Sequence, residues 1–456
     1  MPQAETESVT PAYPDVAAID DGPPHAPPRP VAWNSFFGVL AFGLPTAAVF
    51  VAYPLLIDGI GPERFGVFVL AISLMGAAGT LDLGIAPATT HFVARNLGAG
   101  DGAAAARTVS TSLAFYSILG FLCGLSIWLA APWLAETFSN NVIPDADGAW
   151  VFRLSGIQVG ILFLINVCSA TFKGLQRFEW PALLLSGLSV SSYGGALVAM
   201  ILFGPNLVAM MAGLVAGYFV VGLFAITLLG VVLRHFRMQL LESHPSLTAF
   251  RDLLRFGLVM TGNSIAGFLL YQVQRYVVGA FIGPHAVTVY QLATVIPSKV
   301  QTLVASGTEV LFPYTSSRPE RRVLRRTYVR MLAGGAGLAL ALLGALALFS
   351  DAVFELWVGN AIAAQVSSLI PAFAAAYFFI ATTAAPFHLA NGLGRPHLIT
   401  AFYLFDGLIN VALLAVLLPM NLALESVAFA FLFANLLTAG AYQLFAELVL
   451  WRSSRT

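Results

Sequence analysis

The sequence predicts an all-α polytopic membrane protein, with about 12 transmembrane helices in two six-helix lobes related by a pseudo-two-fold along the membrane normal. Three observations carry that expectation. About twelve apolar stretches alternate with short loops, and a bilayer core of ~30 Å needs roughly 20 apolar residues per helix. Of 456 residues, 58% are hydrophobic and only 10% charged, against about 25% charged in soluble domains. The positive charges fall almost entirely in every second loop, which fixes orientation.

The elements follow in chain order. Residues 1–30 hold eight prolines and five acids without an apolar run, so they read as a disordered Pro-rich cytoplasmic tail. They lack the basic-then-apolar order of a signal peptide, which makes the first span the expected insertion signal. The spans are placed at 34–57, 65–92, 107–130, 149–172, 182–204, 206–233, 255–281, 287–312, 328–350, 365–390, 398–418 and 424–450. Pro45, Pro54, Pro87, Pro297 and Pro386 fall inside them; membrane helices accept prolines because neighbours satisfy the freed backbone groups.

Eighteen of the 22 cations lie on one side. They are Arg29, Arg95, Arg107, Lys173, Arg177, Arg234, Arg237, Arg251, Arg255, Arg318, Arg321, Arg322, Arg325, Arg326, Arg330, Arg395, Arg452 and Arg455. The opposite loops hold only Arg64. Both termini are therefore expected on the cytoplasmic side, with an even number of spans.

A duplication is also visible. Phe42-Gly43-Leu44 pairs with Phe256-Gly257-Leu258, Ile60-Gly61-Pro62 with Ile282-Gly283-Pro284, and Gly174-Leu175-x-Arg177 with Gly392-Leu393-x-Arg395. The matches keep one topological order and nearly one offset. Six helices per half is an even number, so the halves share an orientation, as in parallel-repeat transporters. The expected division is an N-lobe at 31–233, a cytoplasmic linker at 234–254, a C-lobe at 255–451 and a cytoplasmic C-terminus at 452–456.

Enzyme signatures are missing from the sequence. It has no G-x-x-x-x-G-K-[ST] loop, no H-E-x-x-H and no G-x-S-x-G. Cys123 and Cys168 lie in apolar runs and read as core, and the seven histidines show no metal spacing. No cofactor, metal or catalytic residue is expected, and a formal net charge of zero points to no nucleic-acid partner.

What remains is charge inside the membrane, where it is costly and a functional candidate by default. Lys299 sits near the middle of span 8, at the edge of a polar arc of Gln291, Thr294, Ser298, Thr302, Ser306 and Glu309 at helical spacing. It reads either as a ligand for an anion or as a salt-bridge partner of Asp406 or Asp82. Arg275, near the outer end of span 7, shares a broad face with Asn263, Gly267, Tyr271 and Gln274. It could grip a phosphate bidentately or snorkel to the interface. Arg153, a few residues into span 4, favours snorkelling or pairing. Asp82, Glu309 and Asp406 are the candidate sites for a coupling proton or Na⁺, with Asp82 equally readable as a helix-end residue. His388 reads as structural.

These residues resemble a known family. Gly61-Pro62-Glu63-Arg64-Phe65-Gly66-Val67-Phe68, then Leu81-Asp82-Leu83-Gly84 and Arg95, looks like the start of Wzx-type polysaccharide and O-antigen flippases. That family belongs to the multidrug/oligosaccharidyl-lipid/polysaccharide exporter superfamily. Gln274-Arg275-Tyr276, Ile282-Gly283-Pro284 and Val289-Tyr290 are similar to the family's helix 7–8 turn, and the resemblance runs from about residue 34 to 450. It implies alternating access between two lobes, with a polyprenyl-pyrophosphate-linked oligosaccharide moved to the outer leaflet. Lys299, Arg275 and Arg153 would then be the substrate's cations, and Gln291, Ser298, Thr302, Asn263 and Gln274 its polar lining. The expected partners are that lipid, the bilayer, a coupling proton or Na⁺, and proteins of polysaccharide assembly. Many relatives carry an acid where this chain has Gln274, so carboxylate-based coupling is in doubt there. The alternatives are a cation-coupled multidrug exporter of the same fold, a membrane glycosyltransferase or polymerase, and a non-transporting scaffold. The short outward loops speak against the glycosyltransferase.

Overall fold

The computed structural model describes residues 31–236, 238, 243–316, 320–393, 396–420 and 423–452. The described residues form α-helices, one 3-10 turn and connecting loops. The first half contains α1 (Val31–Ile60), α2 (Pro62–Gly79), α3 (Ile85–Gly98), α4 (Gly102–Ser139), α5 (Asp145–Gly174), α6 (Glu179–Phe203) and α7 (Leu207–His235). The second contains α8 (Leu247–Tyr271), α9 (Val273–Phe281), α10 (Pro284–Thr308), α11 (Leu311–Ser316), α12 (Arg321–Leu348), α13 (Ser350–Val358), α14 (Asn360–Gly392), α15 (Pro396–Met420) and α16 (Leu424–Arg452).

Among the described residues, ten helices are long and apolar enough to cross a membrane. The ten include neither α8 nor α10. At 25 residues α10 is long enough, so its polar arc is what sets it apart. Polar residues along one face lower the mean hydropathy of a helix and so weaken the span signal.

Several boundaries differ from the sequence expectation. Span 2 is not one helix: a 3-10 turn at Thr80–Asp82 follows α2, and Leu83 (φ 52°) and Gly84 (φ 68°) adopt left-handed backbone before α3. Pro87, lacking an N–H, sits in the first turn of α3, where no such donor is needed. Span 7 begins earlier, at Leu247, and is interrupted at Gln272. The region from 234 to 254 is therefore helical at both ends, with α7 running to His235 and α8 starting at Leu247. The arginines from 321 to 330 belong to helix α12 rather than to a loop, and Arg325 there pairs with Glu447 at 3.7 Å. The 38 residues of α4 span about 57 Å, well beyond a hydrocarbon core.

The duplicated motifs occupy matching places. Gly61 (φ 82°) and Gly283 (φ 117°) each precede a proline at the start of a helix, α2 and α10. These two turns meet across the halves. A Cβ on Gly66 would lie 1.8 Å from the Pro284 carbonyl oxygen, and the Thr288 hydroxyl donates to the Pro62 carbonyl at 2.5 Å. Farther along the seam, Gly76 abuts the Gln272 amide, and Gly84 and Gly257 touch backbone to backbone. Glycine permits this approach because any side chain would push the helices apart.

Two helix prolines are compensated from neighbouring helices. Pro54 removes the donor that would serve the Phe50 carbonyl, and Trp357 Nε1–H on α13 donates to it at 2.8 Å. Pro386 does the same to the Thr382 carbonyl, which accepts from Gln443 Nε2 on α16 at 2.8 Å. Both bonds replace a missing i→i−4 bond where water is scarce.

Candidate substrate site

The polar arc of α10 divides along its length. Toward the α2–α10 turn, Gln291 and Thr294 are buried. Ser298 and Lys299 are half-buried, and Thr302, Ser306 and Glu309 are exposed. This face is thus covered at one end and open at the end that carries the arginine-rich connections. The hydroxyls use their protons locally: Thr294 bonds the Tyr290 carbonyl, Ser298 that of Val295, Thr302 that of Ser298 and Ser306 that of Thr302, at 2.7–3.0 Å. Their oxygens keep lone pairs that can accept bonds from a sugar.

Lys299 lies about 22 Å along α10 from Pro284. Its Nζ stands 5.8 Å from the Phe42 ring centroid on α1, a cation–π distance. No ion pair joins it to Asp406 or Asp82. The half-buried ammonium is therefore held without a carboxylate among the described residues.

Arg275 is also half-buried, at the first turn of α9 beyond the break at Gln272. Its Nη1 donates to Gln272 Oε1 at 3.1 Å, while its Nε is buried with no partner among the described residues. Five tyrosines lie within electrostatic reach of it: Tyr53 on α1, Tyr193 on α6, Tyr276 on α9, Tyr290 on α10 and Tyr377 on α14. Gln291 Nε2 donates to the Tyr53 hydroxyl at 3.3 Å. Phenols of five helices thus lie in the electrostatic neighbourhood of the guanidinium, and its printed side-chain bond is to Gln272. Sequence reading missed this neighbourhood. Its signal was the tyrosines themselves, since each phenol within a span carries a hydroxyl that needs a partner.

Gln274 faces away from any opening. It is fully buried; its Nε2 donates to the Leu270 carbonyl and to Asn410 Oδ1 at 3.0 and 2.9 Å, and its Oε1 accepts from the Tyr290 hydroxyl. One turn along α15 from Asn410 is Asp406, buried beside Thr438 of α16 and within reach of Tyr271, Tyr403 and Tyr442. Its Oδ1 has no hydrogen-bond partner among the described residues.

The remaining candidates are scattered. Asp82 ends the 3-10 turn and accepts a bond from the Tyr116 hydroxyl of α4. Glu309 caps the exposed end of α10. Arg153 lies against two tryptophans of the α4–α5 pair, 5.6 Å from the Trp128 centroid and 5.1 Å from that of Trp150. Among the described residues, no shared contact brings Lys299, Arg275 and Arg153 together. The side chain of Asn263 lies outside the described residues. Cys123 and Cys168 are free and buried.

The described residues form a packed bundle of apolar helices with polar and charged side chains held inside it. Solved structures bear the fold out. A multidrug resistance MATE family transporter of the MOP superfamily in an inward-facing conformation matches with TM-score 0.74 at 16% identity, over 92% of this chain and 99% of that one. The outward-facing conformation matches with TM-score 0.65 at 18% identity, over 92% and 95%. A MOP superfamily transporter from Pyrococcus furiosus, described as having a binding pocket of reverse polarity, matches with TM-score 0.64 at 18% identity, over 91% and 94%. The fold is thus that of the MOP transporters. Residues 31–318 match the family described as "Polysaccharide biosynthesis protein", and the chain belongs to that family. It is also 22% identical over 364 residues to the "Putative O-antigen transporter" of Shigella flexneri, covering 79% of this chain and 85% of that protein. The chain is thus a multi-pass helical membrane protein of a polysaccharide-biosynthesis family.

Proposed function

We propose that the protein is a flippase that carries a polyprenyl-pyrophosphate-linked oligosaccharide from the cytoplasmic to the outer leaflet of a bacterial inner membrane, with both termini in the cytoplasm. Lys299 carries this reading. It is a half-buried cation with no ion pair to a carboxylate among the described residues, on a polar helix face open toward the arginine-rich end. A pyrophosphate supplies the missing counter-charge. The hydroxyl oxygens beyond Lys299 accept from the sugar, and Arg275 among its tyrosines meets the anion deeper in the path. A cation in the path fits an anionic cargo better than the organic cations of a drug exporter, which is the second reading favoured by the MATE-type neighbours. Asp406, a buried carboxylate with no cation bonded to it among the described residues, serves as the coupling group for a proton or Na⁺. Arg153, stacked on tryptophans, serves as an interfacial anchor.

The test is Lys299→Ala and Lys299→Arg in the host. A charge-assisted hydrogen bond is worth about 1.5–3 kcal/mol, so Lys299→Ala should slow flipping by roughly 10- to 100-fold, and arginine should restore part of the rate. Lipid-linked oligosaccharide should accumulate on the cytoplasmic face while the protein stays inserted. Normal flipping by Lys299→Ala removes the proposed role. Normal lipid-linked sugars in a deletion strain, with new sensitivity to cationic drugs, would favour the exporter.

A further inference from the structure

The break at Gln272 lies where the two halves touch. Its N–H donates to the Phe268 carbonyl of α8 at 2.9 Å, and its own carbonyl accepts from the Arg275 N–H at 3.1 Å. Its side chain holds the same residue a second time, because Oε1 accepts from Arg275 Nη1 at 3.1 Å. The amide also rests on α2 of the other half. A Cβ on Gly76 would lie 2.5 Å from Gln272 Nε2, 2.7 Å from Cδ and 3.2 Å from Oε1. The amide therefore fills the space that a side chain at position 76 would take. The contact continues along the seam, where a Cβ on Gly279 of α9 would lie 2.8 Å from Leu70 Cδ2 of α2. Helix α9 is thus seated on α2 through a glycine on each side, an approach that larger residues would prevent. The Gln272 amide is held between the α2 backbone and the guanidinium.

We propose that Gln272 is a positioning residue that fixes the Arg275 guanidinium for its anion only while α2 is seated against α9. The inference rests on the flippase reading and gives Arg275 an affinity that depends on the state of the seam. An arginine side chain is long and flexible, and ordering it on binding costs free energy. With α2 in place, the Gln272 amide cannot swing toward Gly76, and the guanidinium is ordered before an anion arrives. One of its five donors is spent on Gln272, which leaves the rest for a ligand. Alternating access separates the halves at this seam, withdraws the Gly76 seat and frees the amide, so Arg275 loses its fixed orientation. The anion is then held more tightly with the α2–α10 turn closed than with it open. That difference favours loading from the arginine-rich end and release at the other.

The test measures binding of farnesyl pyrophosphate to the full chain in detergent by calorimetric titration, with Arg275→Ala marking the part of the signal that depends on this site. Flipping of a lipid-linked oligosaccharide is measured in parallel, in vesicles holding the unmodified chain. Gln272→Met keeps the length and volume that pack on Gly76 but removes the acceptor, so a packing role predicts little change. Gly76→Ala pushes the amide off its seat, and in a Gln272→Ala chain the added methyl has room. Ordering one flexible side chain is worth roughly 2- to 10-fold in affinity, so Gln272→Met and Gly76→Ala should each weaken Arg275-dependent binding about 5-fold. Gly76→Ala should have no further effect on the Gln272→Ala chain, since the two residues act through one contact. That pair decides the matter if Gln272→Met does not fold. Binding by Gln272→Met equal to that of the unmodified chain would overturn the positioning role. So would additive losses from Gly76→Ala and Gln272→Ala, or no Arg275-dependent binding at all; intact flipping in any of these cases leaves the flippase reading standing. Coupled losses of binding in a chain that does not flip would support the positioning role and remove the flippase reading.

Discussion

The turn where α2 meets α10 offers a sharp test of the seam. Gly66→Ala places a methyl 1.8 Å from the Pro284 carbonyl oxygen and 2.5 Å from its carbon. Ordinary C···O contacts begin near ~3.3 Å, so the helices must separate by about 1.5 Å. The Thr288 bond to the Pro62 carbonyl, 2.5 Å long, would then stretch to about 4 Å, beyond any hydrogen bond. Overpacking costs about 1–3 kcal/mol and the lost bond about 0.5–1.5 kcal/mol. The closed arrangement should lose ~2–4 kcal/mol against one with this end open, a shift of roughly 30- to 1000-fold. The readout is a cysteine behind the seal. Gln291→Cys is placed in the chain with and without Gly66→Ala, and a membrane-impermeant maleimide is added on the side away from the arginine-rich connections. Both native cysteines are buried, so labelling reports position 291. We expect Gly66→Ala to raise the labelling rate by at least about 10-fold in protein that still melts cooperatively. An unchanged rate would refute the idea that this contact closes the end.

Other contacts give further tests. Trp357→Phe keeps an aromatic ring but removes the donor to the Phe50 carbonyl along with the pyrrole ring that carries it; an orphaned buried carbonyl costs about 1–3 kcal/mol, so thermal stability in detergent should fall. Gln443→Leu should cost a similar ~1–3 kcal/mol through the Thr382 carbonyl, and more than Tyr328→Phe, whose hydroxyl only donates to Gln443 Oε1. Gln274→Glu removes both donors of Nε2 and buries a charge beside Asn410. It should destabilise by several kcal/mol, and a variant with an unchanged melting temperature would show that this network does not hold α9 to α15.

The sequence made most spans legible because bilayer crossing imposes a length and composition that survive any tertiary context. The breaks were less legible. The bend at 80–84 depends on left-handed backbone at Leu83 and Gly84 and on Gly84 touching Gly257, a contact between residues 173 apart in the numbering. Helix α13 looked like loop because nine residues with Asp351 and Glu355 do not resemble a span; packing against α14 and α1 makes it a helix. At the site, Lys299 and its arc were visible because one helix carries them at one period. The Arg275 neighbourhood was not, because its phenols come from five helices and only folding brings them together.

The polar side chains of this bundle sort by what they satisfy. Trp357 and Gln443 fill backbone vacancies left by Pro54 and Pro386. Gln274 closes a buried network with Tyr290 and Asn410. Asp82 takes the Tyr116 hydroxyl at a helix break. Each of these has its chemistry occupied within the fold, so its loss should register as stability. Lys299, Arg275 and Asp406 differ. Lys299 meets only a ring face, Arg275 leaves Nε without a partner, and Asp406 leaves Oδ1 without one. A polar atom held unsatisfied in an apolar medium costs free energy; Arg275 Nε and Asp406 Oδ1 share that state with Arg153 Nε, Gln291 Oε1 and Asn410 Nδ2 among the described residues, so the unmet bond alone does not single them out. The two cations can serve an anionic headgroup and the carboxylate a coupling cation. The flippase reading has Lys299, Arg275 and Asp406 act on cargo and coupling ion, so their substitution should slow flipping with the melting temperature unchanged, whereas loss of a scaffold contact should lower the melting temperature first.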